Sequence, residues 1–248
     1  MRKESASGVR TLLAGVRGMA WLKGKGGIPL EAQALYRRAR EMADRGKYEE
    51  AVALLKQGVM IAPCFMRALD ELGECLGRLG RYPEALASFE QSLGIGETAG
   101  GYQGLGNCQA ALDNNEAALE AYQNWLRLAP TSIWSHKAVG QTFFKLKRYK
   151  EAAEIYSRAI QLGDQPGIVD CYAGLGDAYL ALQDYGAALD AYLNWVSRSP
   201  DSVSANSKVA AAYIGLGDCW TAKSYLDKAL AIDPQNQYAQ NLLKQCQP

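Results

Sequence analysis

Histidine is the scarcest side chain that could do chemistry: His136 stands alone in the whole sequence. One imidazole excludes multi-histidine metal centres and argues against a Ser/His or Cys/His dyad. Proline is also sparse, and strand-like runs of β-branched residues are few. No uncharged apolar run approaches the length of about 18 residues that marks a membrane-spanning helix, so none is expected. There is no GxxxxGK[ST] loop and no CxxC pair. The six cysteines (Cys64, Cys75, Cys108, Cys171, Cys219, Cys246) are widely spaced and read as buried free thiols of a reducing compartment. No cofactor, metal ligand set or catalytic residue is expected, and the chain reads as non-enzymatic.

Charge is nearly absent in sum but not in distribution. The net charge is +1. Residues 1–30 carry Arg2, Lys3, Arg10, Arg17, Lys23 and Lys25 against Glu4 alone, a net +5 that leaves −4 for the remainder. A body so close to neutral lacks the basic footprint of a nucleic-acid binder.

What is abundant is alanine, leucine and glycine, and they recur in register. Gly174-Leu175-Gly176-Asp177, Ala187-Ala188-Leu189-Asp190-Ala191-Tyr192, Asn194-Trp195 and Pro200 repeat a phrase found earlier in the chain. That earlier copy is Gly104-Leu105-Gly106-Asn107, Ala117-Ala118-Leu119-Glu120-Ala121-Tyr122, Asn124-Trp125 and Pro130. Tyr149-Lys150-Glu151-Ala152-Ala153 supplies an intermediate copy, so the period is about 35 residues. Ala51, Ala85, Ala118, Ala152, Ala188 and Ala222 mark six copies, each about 34 residues from the next. Within a copy, Tyr172, Leu175 and Tyr179 fall at i, i+3, i+7, the apolar stripe of an amphipathic helix. The glycine of the Leu-Gly pair (Gly73, Gly106, Gly140, Gly176; alanine at Ala39 and Ala210) lets a second helix approach, with the marking alanine expected opposite it. Pro63, Pro130, Pro200 and Pro234 stop the second helices.

This order of Leu-Gly, Tyr, Ala, aromatic, Ala and Pro resembles the tetratricopeptide repeat family over roughly residues 32–236. The resemblance implies an all-α fold, a right-handed α-solenoid of about six helix-turn-helix units. The units fall near 32–65, 66–98, 99–132, 133–166, 169–202 and 203–236, with 237–248 as a C-terminal capping helix that covers the last apolar face. Trp125 and Trp195 depart from the pattern by standing where a small residue is usual. They read as bulky core packing, the alternative being an aromatic pair for a partner or a second copy.

In this family the first helices of successive units line a concave groove that binds peptide segments. Carried onto this sequence, the groove positions are Tyr36, Arg37 and Arg40, then Asp70, Glu71 and Glu74. Gln103, Asn107, Trp134, Lys137, Gln141 and Phe144 follow, then Asp170, Asp177, Leu180, Lys208 and Ile214. Asp70, Glu71 and Glu74 also read simply as a solvated face paired with Arg67 or Arg78. A subclass of the family clamps chaperone C-terminal carboxylates with a set of lysines, asparagines and an arginine. That set is missing here: Lys137 is followed by Gln141, Gly174 and Ser204.

The N-terminal segment 1–30 has Val9, Leu12, Leu13, Val16 and Ala20 at helical spacing and then a Gly-rich linker, Lys23–Pro29. It reads as a helix docked on the first unit, a peripheral membrane-surface or targeting segment, or a tail bound by another copy. The function expected is a cytoplasmic, non-enzymatic adaptor or scaffold that binds a protein or peptide in the groove, without nucleic acid. The alternative is a structural protein that self-associates through the N-terminal segment or the solenoid ends, at a membrane surface or away from one.

Overall fold

A computed structural model describes residues 27–246. The readings placed on residues 1–26, including the Val9–Ala20 pattern and its basic side chains, lie outside the described residues. Among the residues described there are thirteen helices and no strand. The all-α fold implied by the repeat is therefore the fold observed. No described helix is long and apolar enough to cross a membrane.

The chain divides into two compact units, Met1–Leu128 and Ala129–Pro248. In the first, α1 (Leu30–Asp44), α3 (Met66–Arg78) and α5 (Ala99–Ala111) are the first helices of three pairs. Their partners are α2 (Tyr48–Ile61), α4 (Tyr82–Ile95) and α6 (Asn115–Leu128). In the second unit the first helices are α7 (Ile133–Lys145), α9 (Ile168–Ala181) and α11 (Val203–Gly215). They pair with α8 (Tyr149–Gln161), α10 (Tyr185–Arg198) and α12 (Cys219–Ile232), and α13 (Gln237–Gln245) follows.

Local chemistry fixes the helix ends. Thr98, Ser132, Asp184, Ser202, Asp218 and Asn236 each accept a backbone N–H of their helix's first turn. Between the two helices of a pair the chain passes through a left-handed residue: Gly46, Gly80, Asp113, Lys147, Gln183 and Gly217, with φ from 60 to 82°. After the first, Lys47 N–H returns to Met42 O at 2.9 Å, which closes the last turn of α1.

The six marking alanines are fully buried. The atoms nearest the glycine of the facing helix, however, belong to an aromatic ring. A Cβ built on Gly73 falls 2.7 Å from the Phe89 ring, on Gly106 2.4 Å from Tyr122, on Gly140 2.8 Å from Tyr156 and on Gly176 2.3 Å from Tyr192. Each ring stands one helical turn beyond its alanine, so it leans over the same face. The rings are shared between neighbouring pairs. Phe89 also lies 2.2 Å from a Cβ on Gly104, and Tyr156 2.4 Å from one on Gly174. Where the small residue is alanine, the residue at the ring position is leucine: Ala39 with Leu55, Ala210 with Leu226, all four fully buried. Volume is thus conserved across each contact, as a close-packed interior requires.

Trp125 is buried and tilted against Tyr122 at 6.3 Å, and Trp195 is half-buried against Tyr192 at 6.4 Å. Both tryptophans therefore pack on their own helix's tyrosine, one turn away, and the bulky-core reading describes them.

Candidate functional site

In the second unit the first helices carry the densest set of named candidates. Trp134, Lys137, Gln141 and Phe144 fall at i, i+3, i+7 and i+10 on α7, so they share a face. Trp134 is half-exposed, and its six-membered ring lies on Gly167, where a Cβ would come within 3.3 Å. Gly167 adopts φ +94° as the N-cap of α9, a conformation that suits glycine, and its missing side chain leaves room for the indole. Lys137 places its ammonium 5.1 Å from the Trp134 ring centroid and forms an ion pair with Asp170 of α9. Gln141 is exposed. Phe144 is half-buried and tilted against Tyr149 at 5.1 Å, so it braces the start of α8 more than it faces outward.

Two turns further along α9, Asp177 Oδ1 accepts from Tyr192 Oη at 2.7 Å and meets Lys208 Nζ of α11 at 2.8 Å. Lys208 also lies 5.7 Å from the Tyr238 ring centroid on α13. Two lysine–aspartate pairs therefore tie α7 to α9 and α9 to α11 across one polar surface. Leu180 and Ile214 are half-buried beside it.

In the first unit, Arg40 meets Glu71 at 3.7 Å, a pairing different from the Arg67 or Arg78 expected. Burial pushes the Glu71 carboxyl up from its ordinary value, with Glu74 adding repulsion and Arg40 opposing it. Burial likewise raises Asp70, whose Oδ2 accepts from Thr98 Oγ1 at 3.5 Å. Asp70 and Arg37 line a cleft of about 620 Å³ with Ile28, Tyr36, Phe65 and Met66, and Tyr36 tilts on Phe65 at 5.2 Å. Gln103 and Asn107 of α5 line a second cleft of about 360 Å³ with Glu74 and the glycine face of α3. Asn107 Oδ1 also accepts from Tyr122 Oη at 2.8 Å.

His136 is buried, with Nδ1 2.9 Å from Ser132 O. Two repeats on, buried Asn206 reaches the matching Ser202 O at 3.0 Å. An amide fills the same position, so the imidazole is a structural hydrogen-bonding group. Among the described residues no cluster of three potential metal ligands occurs.

Trp220 is a feature that the groove positions missed. It is 86% exposed at the second residue of α12. The equivalent residues are Glu49, Pro83, Glu116, Lys150 and Gly186, so an aromatic side chain there breaks a polar or turn-forming series.

Comparison with known proteins agrees with the repeat geometry. The tetratricopeptide repeat profile matches residues 36–100, 71–133, 138–203 and 174–237. The chain belongs to the tetratricopeptide repeat family. It is an α-solenoid of that class, and proteins of the family mediate protein–protein interactions. The chain is 31% identical over 110 residues to Heat shock protein STI1 of Saccharomyces cerevisiae, covering 44% of this chain and 18% of that protein. It is 34% identical over 101 residues to the Hsp70-Hsp90 organizing protein of Triticum aestivum, covering 41% and 17%. The chain thus matches less than a fifth of the length of these relatives. Among solved structures, YrrB, described as a tetratricopeptide repeat protein with an unusual peptide-binding site, superposes with a TM-score of 0.68 at 19% identity. That superposition covers 77% of this chain and 97% of YrrB, and it speaks to fold alone.

Proposed function

We propose that the protein is a non-enzymatic adaptor that holds a peptide or helix against the α7–α9–α11 surface. The observation that carries this reading is the half-exposed indole of Trp134, packed beside Gly167 with Lys137 over it. A rigid aromatic group among polar neighbours is the kind of anchor on which binding energy concentrates. Asp170 and Asp177 already neutralise Lys137 and Lys208, so neither lysine is spare to grip a carboxylate. The surface is better matched to an uncharged segment with an apolar side chain for Trp134 and amide groups for Gln141. A terminal-carboxylate clamp, as used by one subclass of the family, is therefore not part of this reading. The first-unit candidates, from Tyr36 through Asn107, provide a second, more acidic surface for the same class of ligand.

The test is an affinity capture from the native cell extract, comparing the intact chain with Trp134→Ala and Lys137→Ala. Both variants are expected to retain full helicity and lose at least about tenfold in capture of a specific protein, the range for a central aromatic anchor. Unchanged capture with an intact fold overturns this placement.

A second reading, self-association through the end of the repeat array, is favoured by Trp220, with Leu216 half-exposed nearby in sequence. Light scattering across a concentration series separates the two. A stable monomer supports the adaptor, and a mass that rises with concentration and falls in Trp220→Ala supports assembly.

A further inference from the structure

The larger cleft of the first unit, about 620 Å³, lies beside the N-terminal halves of α1 and α3. Ile28, Tyr36, Phe65 and Met66 give it an apolar floor, and that floor is braced. Phe65 is buried, and Tyr36 tilts on it at 5.2 Å. Gln33 Nε2 donates to Ile28 O at 2.7 Å, and Met66 Cε packs on Gly96, where a Cβ would come within 3.2 Å.

Arg37 and Arg67 line the same cleft, and both are exposed. Among the described residues neither enters an ion pair. The carboxylates nearby are engaged elsewhere: Asp70 Oδ2 accepts from Thr98 Oγ1, Glu71 meets Arg40, and Glu97 meets Arg127. No side chain caps the first turn of α3, which adds to the positive potential. The cleft therefore joins an apolar floor to unneutralised cations. On α7–α9–α11, by contrast, aspartates neutralise both lysines.

We propose that this cleft binds an acidic peptide segment of a partner protein, in which an aromatic or aliphatic side chain is flanked by glutamate or aspartate. This second specificity rests on the adaptor reading above and adds a site in the other unit. A guanidinium holds a carboxylate by paired, charge-assisted hydrogen bonds, and its weak hydration lets it do so beside an apolar surface. The floor takes the apolar side chain, in a cleft within the size range of ligand pockets. A neutral segment would cover the floor and leave two cations without partners. A bare anion would pair with the cations and leave the floor wet. The chain's own residues 1–26 fit poorly, because they carry six basic side chains and one acid, Glu4.

The test is fluorescence anisotropy on the full chain with short labelled peptides, amidated at the C-terminus, in which one phenylalanine is flanked by glutamates, glutamines or lysines. The glutamate peptide should bind at least about tenfold more tightly than the glutamine peptide, and added salt should narrow that gap. Arg37→Gln and Arg67→Gln should each weaken it about tenfold at unchanged helicity, whereas Arg45→Gln, outside the cleft, should not. Replacing the peptide's phenylalanine by alanine should cost about as much. Trp134→Ala should leave this binding intact, since Trp134 belongs to the other unit.

Four results overturn the site: no binding, glutamate binding no tighter than glutamine or lysine, a need for a free C-terminal carboxylate, or displacement by inorganic phosphate as readily as by unlabelled peptide. A loss in Trp134→Ala with none in the arginine variants also overturns it, and leaves the α7–α9–α11 placement standing.

Discussion

The Tyr192 hydroxyl donates a 2.7 Å hydrogen bond to Asp177 Oδ1, and the same oxygen faces Lys208. The core ring that fills the Gly176 notch therefore also positions the carboxylate that joins α9 to α11. Packing and the polar surface are one construction here, and a change in the ring reaches the surface.

That link gives the alkaline behaviour of the fold a sign. Burial first, then Asp177, pushes the Tyr192 phenol above its usual value near 10. Burial raises Tyr156 likewise and holds Tyr122 up at about 12. The folded state therefore keeps protons that the unfolded chain releases. Stability is fully present below about pH 10 and falls as pH rises through the folded values. Urea midpoints should drop between pH 9 and 11. In Tyr192→Phe that decline should be shallower, on a baseline about 1.5 kcal/mol lower at pH 7 from the lost hydrogen bond to a charged group.

Gly176 and Tyr192 should behave as a coupled pair. Gly176→Ala puts a methyl 2.3 Å from a fully buried ring atom. The overpacking outweighs alanine's helix preference of about 1 kcal/mol and leaves a net loss of about 2 kcal/mol. Adding Tyr192→Leu recreates the Ala210–Leu226 combination. A urea-melt double-mutant cycle should show the two changes costing less together than their sum, by at least about 1 kcal/mol. Strict additivity would mean the ring and the glycine do not share the space.

The repeat is legible in the sequence because every pair solves the same packing problem with residues at the same spacing. Gly73, Gly106, Gly140 and Gly176 mark the contact from the sequence alone. The residue opposite them is less plain: alanine is the recurring letter, but the aromatic one turn later fills the notch. Seeing that requires knowing which way a helical side chain leans. The surface is legible as positions and not as pairings. Lys137 and Asp170, like Asp177 and Lys208, stand nearly a whole repeat apart in sequence. Whether side chains so placed meet depends on how adjacent first helices cross, which no single helix pattern encodes. Trp220 escapes the groove positions because it stands on a second helix, outside the face that they line.

The turns provide a gain of stability as a test. Lys147 and Gln183 adopt φ of 60 and 61° where sister turns have Gly46, Gly80 and Gly217. A side chain there costs about 1–2 kcal/mol, and glycine's extra freedom in the unfolded chain returns roughly half of the benefit. Lys147→Gly and Gln183→Gly should each stabilise by about 0.5 kcal/mol, seen as a higher urea midpoint at unchanged slope. Asp113 is a poorer choice, because its carboxylate accepts from Asn115 Nδ2 at 2.9 Å.

The first unit should lose stability on the acid side for a definable reason. Arg81 grips Glu84 through Nε at 2.7 Å and Nη2 at 2.8 Å, Lys56 of α2 adds a contact at 3.1 Å, and Arg81 Nη1 reaches Glu49 at 3.2 Å. The Arg81 hydrogen bonds, then that of Lys56, bring the Glu84 carboxyl down to about 2 from an ordinary 4.5. The unfolded chain takes up this proton first. The contribution is therefore present above about pH 4.5 and is lost as pH falls toward 2. Glu84→Gln removes the charge and keeps the shape, so its stability should change less between pH 5 and pH 2.5 than that of the parent. Because the group is open to solvent, added salt should narrow the difference. Parallel acid profiles for the two proteins would show that the Arg81–Glu84–Lys56 cluster does not join α2 to α4 in solution.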